Sequence, residues 1–453
     1  MRYSIFKMLL LLALPALMGL PVSAASPQQT IGVNVVLKTD INPAIVADLG
    51  RYGKVRDVVY EIRAITLQAP SSILPLIQQL PYVAAANPDA VRNGRPVKTL
   101  AVSNFSDGLS TWDLDAVNVT DSGAGRTVTF DGSGVYVAVI DTGLVDDWRQ
   151  YFPAERIATQ YAKSFSGGGG DNGNVSEQPN KWEHDADSHG THVTSTILGY
   201  NMNGTAINGV APMATVIPVK VLNQNGSGWS SVIARGIVYV ADLKADELPD
   251  HAVVINMSLG GPALDAMEKA AIDYAISKGV ILVASAGNNG EAGMGYPGAY
   301  APVISVAASG WVGEWLSGGW WRGNVSDPTS AEDFYITDFS SRAKAGQELD
   351  VAAPGSWVVG PYQTNNGQIS YYYLGGTSMA SPHVAGIVAL MAQKKPGLTA
   401  SQAENILRTS AVPLPAGCRD VPQSSGATAE FCWGTDATGA GLATADAALA
   451  ATQ

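Results

Sequence analysis

From Val135 onward, short β-branched runs alternate with helical stretches. The runs are Val135–Ile140, Val216–Val221, Val253–Asn256, Val280–Ala284 and Val303–Ala307. Between them lie Thr191–Leu198, Ser230–Leu243 and Leu264–Ser277. A strand that is apolar along its whole length needs cover on both faces. The pattern therefore predicts an α/β unit with a parallel sheet and helices on each side. Such sheets carry their sites at the carboxyl ends of strands and the N-termini of helices, so chemistry is sought there.

Composition narrows the function classes. Hydrophobic residues make up 46% of the 453 and charged residues 15%, enough apolar material for a large core. The formal net charge is −12 with no basic run, which disfavours nucleic acid and anionic membranes as partners. Two cysteines, Cys418 and Cys432, allow neither a disulfide scaffold nor a thiolate zinc cluster.

The first 25 residues read as an address. Arg2 and Lys7 precede an apolar run from Met8 to Leu14, and small residues follow at Val22-Ser23-Ala24-Ala25. That order is a secretory signal peptide, too short for a membrane span and with no Cys after it for a lipid anchor. The expectation is a protein exported to the periplasm or the medium, with no membrane anchor. There Cys418 and Cys432 are expected to pair, for about 3 kcal/mol in the chain-entropy picture.

Residues 26–105 form a second unit. Ile31–Leu37 alternates as a strand, Asn42–Leu49 reads as a helix with Pro43 in its first turn, and Val55–Leu67 holds two strands. Pro70–Leu80 then reads as a helix and Tyr82–Ala86 as a strand. Strand, helix, strand, strand, helix, strand is the split βαβ order, a small α+β module. A turn at Asn93-Gly94-Arg95-Pro96 leads into a polar linker. Residues 106–453 form the third unit.

Five histidines are present: His184, His189, His192, His251 and His383. Three crowd into residues 184–192. The strand ending at Ile140 is followed by Asp141, placed to orient an imidazole. Ser378 stands at the start of a long apolar helix, where the positive end of the helix dipole favours developing negative charge. Taken singly, each is an ordinary cap, turn or structural residue. Taken together, the three local sequences are long and specific.

Val139-Ile140-Asp141-Thr142-Gly143, Ser188-His189-Gly190-Thr191-His192-Val193 and Gly376-Thr377-Ser378-Met379-Ala380-Ser381-Pro382-His383-Val384-Ala385-Gly386 resemble the three signature blocks of the subtilisin-like serine proteases, in that family's order. The resemblance covers roughly residues 111–448. It implies a serine endopeptidase needing no cofactor for catalysis, with Ser378 as nucleophile, His189 as general base and Asp141 orienting the imidazole. Ala284-Ser285-Ala286-Gly287-Asn288-Asn289-Gly290 resembles the family's oxyanion segment, and its register favours Asn288 over Asn289. Gly226-Ser227-Gly228 and Ser258-Leu259-Gly260-Gly261 resemble the segments that pair with an extended polypeptide substrate. Backbone pairing of that kind implies broad cleavage. Gly295 matches the floor of the primary pocket and implies a preference for apolar or aromatic residues, with Trp229 as a candidate rim for a hydrophobic residue further along.

The resemblance makes the module at 26–105 look like an inhibitor-type propeptide. It would template a slow-folding parallel sheet and act as an intramolecular inhibitor of a self-processed zymogen, cut between Arg95 and Gly108. Calcium is common in the family. Asn203 falls where a calcium loop would, with Asp146 and Asp147 as candidate carboxylates for a structural ion. A monomer is expected.

Several features stand outside the pattern. Asp185 and Asp187 precede His189, either to attract a basic residue beside the scissile bond or as a solvated loop. Residues 311–334 are an insertion holding Trp311, Trp315, Trp320 and Trp321, placed either to meet a partner or to fold back on the domain. Gly167–Gly170 enlarges another loop. Two other readings remain at this point. One is a metallohydrolase using His184, His189 and His192, although the spacing is not that of a helical zinc pair and leaves the Ser378 block unexplained. The other is an inactive binding protein on the same fold.

Overall fold

The computed structural model describes residues 29–94, 98–101, 110–121, 126–165, 175–363 and 369–453. The expected signal segment at 1–25, the processing interval after residue 94 apart from 98–101, and the Gly167–Gly170 run lie outside the described residues. Among the described residues no helix is long and apolar enough to cross a membrane.

The N-terminal module runs β1 (Thr30–Leu37), α1 (Pro43–Leu49), β2 (Lys54–Val59), β3 (Ala64–Pro70), α2 (Leu74–Gln78) and β4 (Val83–Pro88). Its antiparallel sheet has the order β2-β3-β1-β4. Helix α1 starts where Asn42 accepts the Ile45 N–H, with Pro43 in the first turn. Val33, Val35, Leu49, Ile65, Leu67 and Ile77 fill a core of the module's own.

Two short strands follow, β5 (Val91–Asn93) and β6 (Lys98–Ala101), and neither joins the module's sheet. The larger unit then contains α3 (Trp112–Ala116), β7 (Tyr136–Asp141), β8 (Lys163–Ser164), α4 (His189–Leu198), the hairpin β9 (Gly199–Met202) and β10 (Thr205–Asn208), and β11 (Thr215–Lys220). Next come β12 (Ser227–Trp229), α5 (Ser230–Asp246), β13 (Val253–Met257), α6 (Ala266–Ser277), β14 (Ile281–Ser285), β15 (Ile304–Trp311) and β16 (Phe334–Ile336). The chain closes with β17 (Val351–Pro354), β18 (Val358–Gln363), β19 (Ile369–Gly375), α7 (Thr377–Lys394), α8 (Ala400–Ser410), the hairpin β20 (Gly417–Pro422) and β21 (Thr428–Trp433), and α9 (Ala445–Ala451).

The central sheet has the order β16-β15-β14-β13-β7-β11-β8, with β17 also on β15; only β16 is antiparallel. Its strands alternate between two cores, as a period of two requires. Val137, Val139, Val254 and Val283 face the core of α4 and α7, whereas Ala138, Ile140, Ile255 and Leu282 face that of α5 and α6. Each such buried Val, Ile or Leu side chain stabilises the fold by about 1.5–3 kcal/mol relative to exposure. Helix α7 is buried on all sides from Thr377 to Ala392, so it runs through the protein rather than over it.

The tryptophan-rich insertion folds back. Trp320 stacks on Tyr373 of β19 with ring centroids 5.2 Å apart, and Trp315 meets Trp320, Trp357 and Tyr373 within 5.5 Å. Cys418 and Cys432 face each other in register across the β20–β21 hairpin.

Candidate active site

Strand β7 ends at Asp141, and α4 begins at His189. Two glycines let these ends approach. A Cβ on Gly143 would lie 2.4 Å from the Trp182 carbonyl oxygen, and one on Gly190 would lie 2.4 Å from that of Gly143. His189 Nδ1 thereby reaches both oxygens of Asp141, at 2.8 and 3.0 Å, with both side chains fully buried. Burial disfavours the imidazolium, but the Asp141 carboxylate outweighs it and holds His189 above the ordinary imidazole value. His189 Nε2 is buried with no hydrogen-bond partner, leaving it as an acceptor at the site.

Ser378 is the second residue of α7. Pro382, four residues on, has no N–H to give to the Ser378 carbonyl. The Ser258 hydroxyl takes that place at 2.7 Å, and is itself held by Asn256 Nδ2 at 3.0 Å. The Ser378 hydroxyl donates to the Ser258 carbonyl at 3.1 Å. Ser378 is thus tied by backbone and side chain to the segment that follows β13.

Asn288 follows β14. Its carboxamide oxygen accepts the Thr377 N–H and the Thr377 hydroxyl, both at 2.9 Å. That leaves its NH2 group as a donor near the start of α7, with Nδ2 3.6 Å from where a Cβ on Gly376 would lie. Asn289 is exposed, and its backbone N–H goes to Ser341. The geometry therefore favours Asn288 for an oxyanion donor.

The cleft beside these groups is filled by the chain's own residues. Strand β5 lies antiparallel to β12, with Asn93 opposite Ser227, Arg92 opposite Gly228 and Val91 opposite Trp229. On its other edge Asn93 exchanges two hydrogen bonds of 3.0 Å with Gly260. Gly94 donates to the Gly226 carbonyl at 2.9 Å, and a Cβ on Gly94 would lie 3.4 Å from His189 Cε1. Further along, β6 pairs antiparallel with β19, the strand that leads into Ser378. Residues 91–94 and 98–101 thus flank the Ser378 position on two sides. Leu259 is buried, its carbonyl accepting the Ser285 hydroxyl at 3.3 Å. Gly295 lies behind Gly260, and a Cβ there would make only ordinary contacts of 3.5 Å and more.

The module docks on the N-termini of α5 and α6. Asp89 accepts from the Ser231 N–H and hydroxyl and from Ser230, capping α5. Asn34 and Asn87 donate to Asp265, the N-cap of α6. Opposite Gly228, in the strand that holds the candidate rim residue Trp229, the structure has Arg92 in place of a hydrophobic occupant. It is completely buried, with Nε on both oxygens of Glu268 at 3.0 and 3.2 Å, and Nη2 on Glu268 and on the Ala263 carbonyl. Neither Glu268 nor Asp89 carries a local sequence signal; each acquires meaning only from what faces it.

Other expectations resolve differently. Asp185 is buried, not solvated. It accepts the Thr142 hydroxyl at 2.7 Å and the Asp187 N–H at 2.9 Å, and so braces the tip of β7. Burial pushes the Asp187 carboxyl up to about 6. Asp146 pairs with His184 at 2.9 Å, and Asn203 sits in the tip of the tight β9–β10 hairpin. The neighbouring Asn201 carboxamide is spent on the Gly204 N–H and the Gln150 carbonyl. The three-histidine zinc reading fails because the imidazoles diverge. His184 turns to Asp146, His189 to Asp141, and His192 Nε2 donates to the Val358 carbonyl at 3.2 Å, with burial pushing His192 down to about 3. Among the described residues, no three His, Asp or Glu side chains lie close enough to share an ion.

Comparison with known proteins agrees with this architecture. Residues 132–440 match the family model described as Peptidase S8, the subtilase family. Subtilisin DY of Bacillus licheniformis is 36% identical over 289 residues, 63% of this chain and 86% of its own length. Thermitase of Thermoactinomyces vulgaris is 33% identical over 264 residues, 58% and 77% of the two chains. Among solved structures, sphericase superposes with a TM-score of 0.53 at 30% identity, over 75% of this chain and 99% of that one. Fervidolysin from Fervidobacterium pennivorans, described as a keratinolytic enzyme related to subtilisin, reaches 0.65 over 93% of this chain and 61% of that one. At 24% identity it speaks to the fold alone.

Proposed function

The chain belongs to the subtilase family of serine proteases, and from that premise we propose that Asp141, His189 and Ser378 carry out its peptide-bond hydrolysis. The Ser378 hydroxyl attacks the scissile carbonyl while His189 Nε2 takes its proton. The same imidazolium then protonates the leaving amine. Asp141 holds the Nδ1–H tautomer and stabilises the cation. Asn288 Nδ2 and the Ser378 backbone N–H receive the tetrahedral oxyanion, a charge that the N-terminus of α7 also favours. Water repeats the sequence on the acyl-enzyme and frees Ser378.

The observation that carries this reading is the buried two-point Asp141–His189 pair with an unpartnered Nε2, while the Ser258 carbonyl that holds the Ser378 hydroxyl lies, like His189, against Gly94. Substrates are extended polypeptides held between residues 226–228 and 258–260. The open space over Gly295 suits apolar or aromatic residues in the primary pocket. The same reading makes residues 1–25 a signal peptide and 26–105 a propeptide that inhibits a secreted zymogen. Strand β5 lying in the cleft supports that role. Cys418 and Cys432 form a disulfide in that oxidising setting.

The test is mass spectrometry of protein treated with a phosphonylating serine reagent. The adduct is expected on the peptide containing Ser378, and the mature N-terminus between 95 and 108. Ser378→Ala should release no peptides from unfolded casein. Adduct formation elsewhere, or normal turnover by that variant, would remove the assignment.

A further inference from the structure

We propose that this protease selects an arginine at the fourth residue before the cleaved bond, and that Glu268 is the specificity-determining residue. The proposal rests on the reading of Ser378 as nucleophile.

The register locates the subsite. Asn93 pairs with Gly260 in both directions. In an antiparallel ladder, a bound residue two places after the Asn93 position falls opposite Ser258. The Ser258 carbonyl is the group that holds the Ser378 hydroxyl. That bound residue therefore presents the reacting carbonyl, the residue at the Gly94 position lies against His189, and the Arg92 position is the fourth from the cut.

The subsite is built for a guanidinium. Arg92 is wholly buried, and its planar fork meets Glu268 from Nε and Nη2 while Nη2 also reaches the Ala263 carbonyl at 3.1 Å. A lysine ammonium cannot supply that two-pronged contact. Glu268 belongs to the enzyme body, on the first turn of α6, and remains when the module leaves. Asp265, in the same turn, adds charge of the same sign. A leucine or phenylalanine at this position would cover the Glu268 carboxylate without pairing it, which is among the costliest arrangements in a protein interior. The pocket thus favours arginine by attraction and disfavours apolar side chains by desolvation.

The experiment compares kcat/KM of the processed enzyme on fluorogenic peptides that differ only at the fourth position, carrying arginine, lysine, leucine or glutamate. Arginine is expected to exceed leucine by about 30-fold or more and lysine by a smaller factor, with glutamate poorest. Glu268→Leu should reverse the order of arginine and leucine. Because that change alone would strand Arg92 in the precursor, Arg92→Leu/Glu268→Leu is made in parallel and should mature with the reversed order. Efficient hydrolysis with leucine equal to or above arginine in the unaltered enzyme overturns the proposal and leaves the Ser378 reading intact. Failure to hydrolyse any of the peptides, together with absence of an adduct on Ser378, overturns the protease assignment itself.

Discussion

Replacing Arg92 by leucine is expected to loosen the module's hold on the cleft far more than an exposed ion pair would. Arg92 and Glu268 both have no solvent exposure, and Nε and Nη2 both bind the carboxylate. Exposed pairs contribute about 0–1 kcal/mol. Removing one partner of a buried pair instead leaves an uncompensated charge and costs about 3–5 kcal/mol. At one decade per 1.4 kcal/mol, opening of the docked segment should become easier by roughly two to three and a half orders of magnitude. Amide hydrogen exchange of the full-length chain in a Ser378→Ala background reads this directly. The reporter amides are Asn93 and Gly94 on the segment and Gly260 and Ser230 on the body, which bond to Gly260, Gly226, Asn93 and Ala90. Their protection should fall together. In Arg92→Leu/Glu268→Leu, where no charge is left unpaired, protection should return to within about 1 kcal/mol of the parent. A single-variant loss under 1 kcal/mol, or a double variant as weak as the single, would refute the view that charge burial governs this contact.

On the proposed mechanism hydrolysis requires neutral His189, so activity should be present at high pH and lost as pH falls through the histidine's raised value, above the usual 6.5 or so. The kcat/KM profile of Asp141→Asn should show its acid limb moved down, besides a large fall in rate; an unmoved limb would assign the titration to another group. Asn288→Ala should lower kcat about 10²–10³-fold with little change in KM, the range known for the corresponding donor of a subtilisin. A loss confined to KM would argue against an oxyanion donor. Trp320→Ala should cost about 3–5 kcal/mol in urea unfolding, because the ring is buried and stacked on Tyr373. A loss below 1 kcal/mol would mean that the insertion is not part of the core.

Much of the framework was legible because it is local. Near-continuous apolar runs read as covered parallel strands, and the strand after Val135 does end in Asp141. The helix starting at Thr377 was visible from its composition, and so was the six-element order of the module. The surroundings of the calcium candidates were not legible for a related reason. Asn203 and Asp146 have the right chemistry, but a hairpin and a histidine claim their surroundings. Asp185 looked like loop because an acidic run normally is solvated; only the tip of β7 packed over it makes it a buried brace.

The sequence alone determined which residue types stand at which ends of which elements, since strand and helix periodicity act over a few residues. It left open what Glu268 faces, where the tryptophan insertion goes and which groups converge on Ser378. Glu268 meets Arg92 across 176 residues of chain. Its charge is tolerable inside the protein only because a separate unit brings a guanidinium to it, and burial strengthens that attraction while making its loss costly. Pairings of this kind depend on which surfaces are removed from water together, and that is settled only when the whole chain has packed.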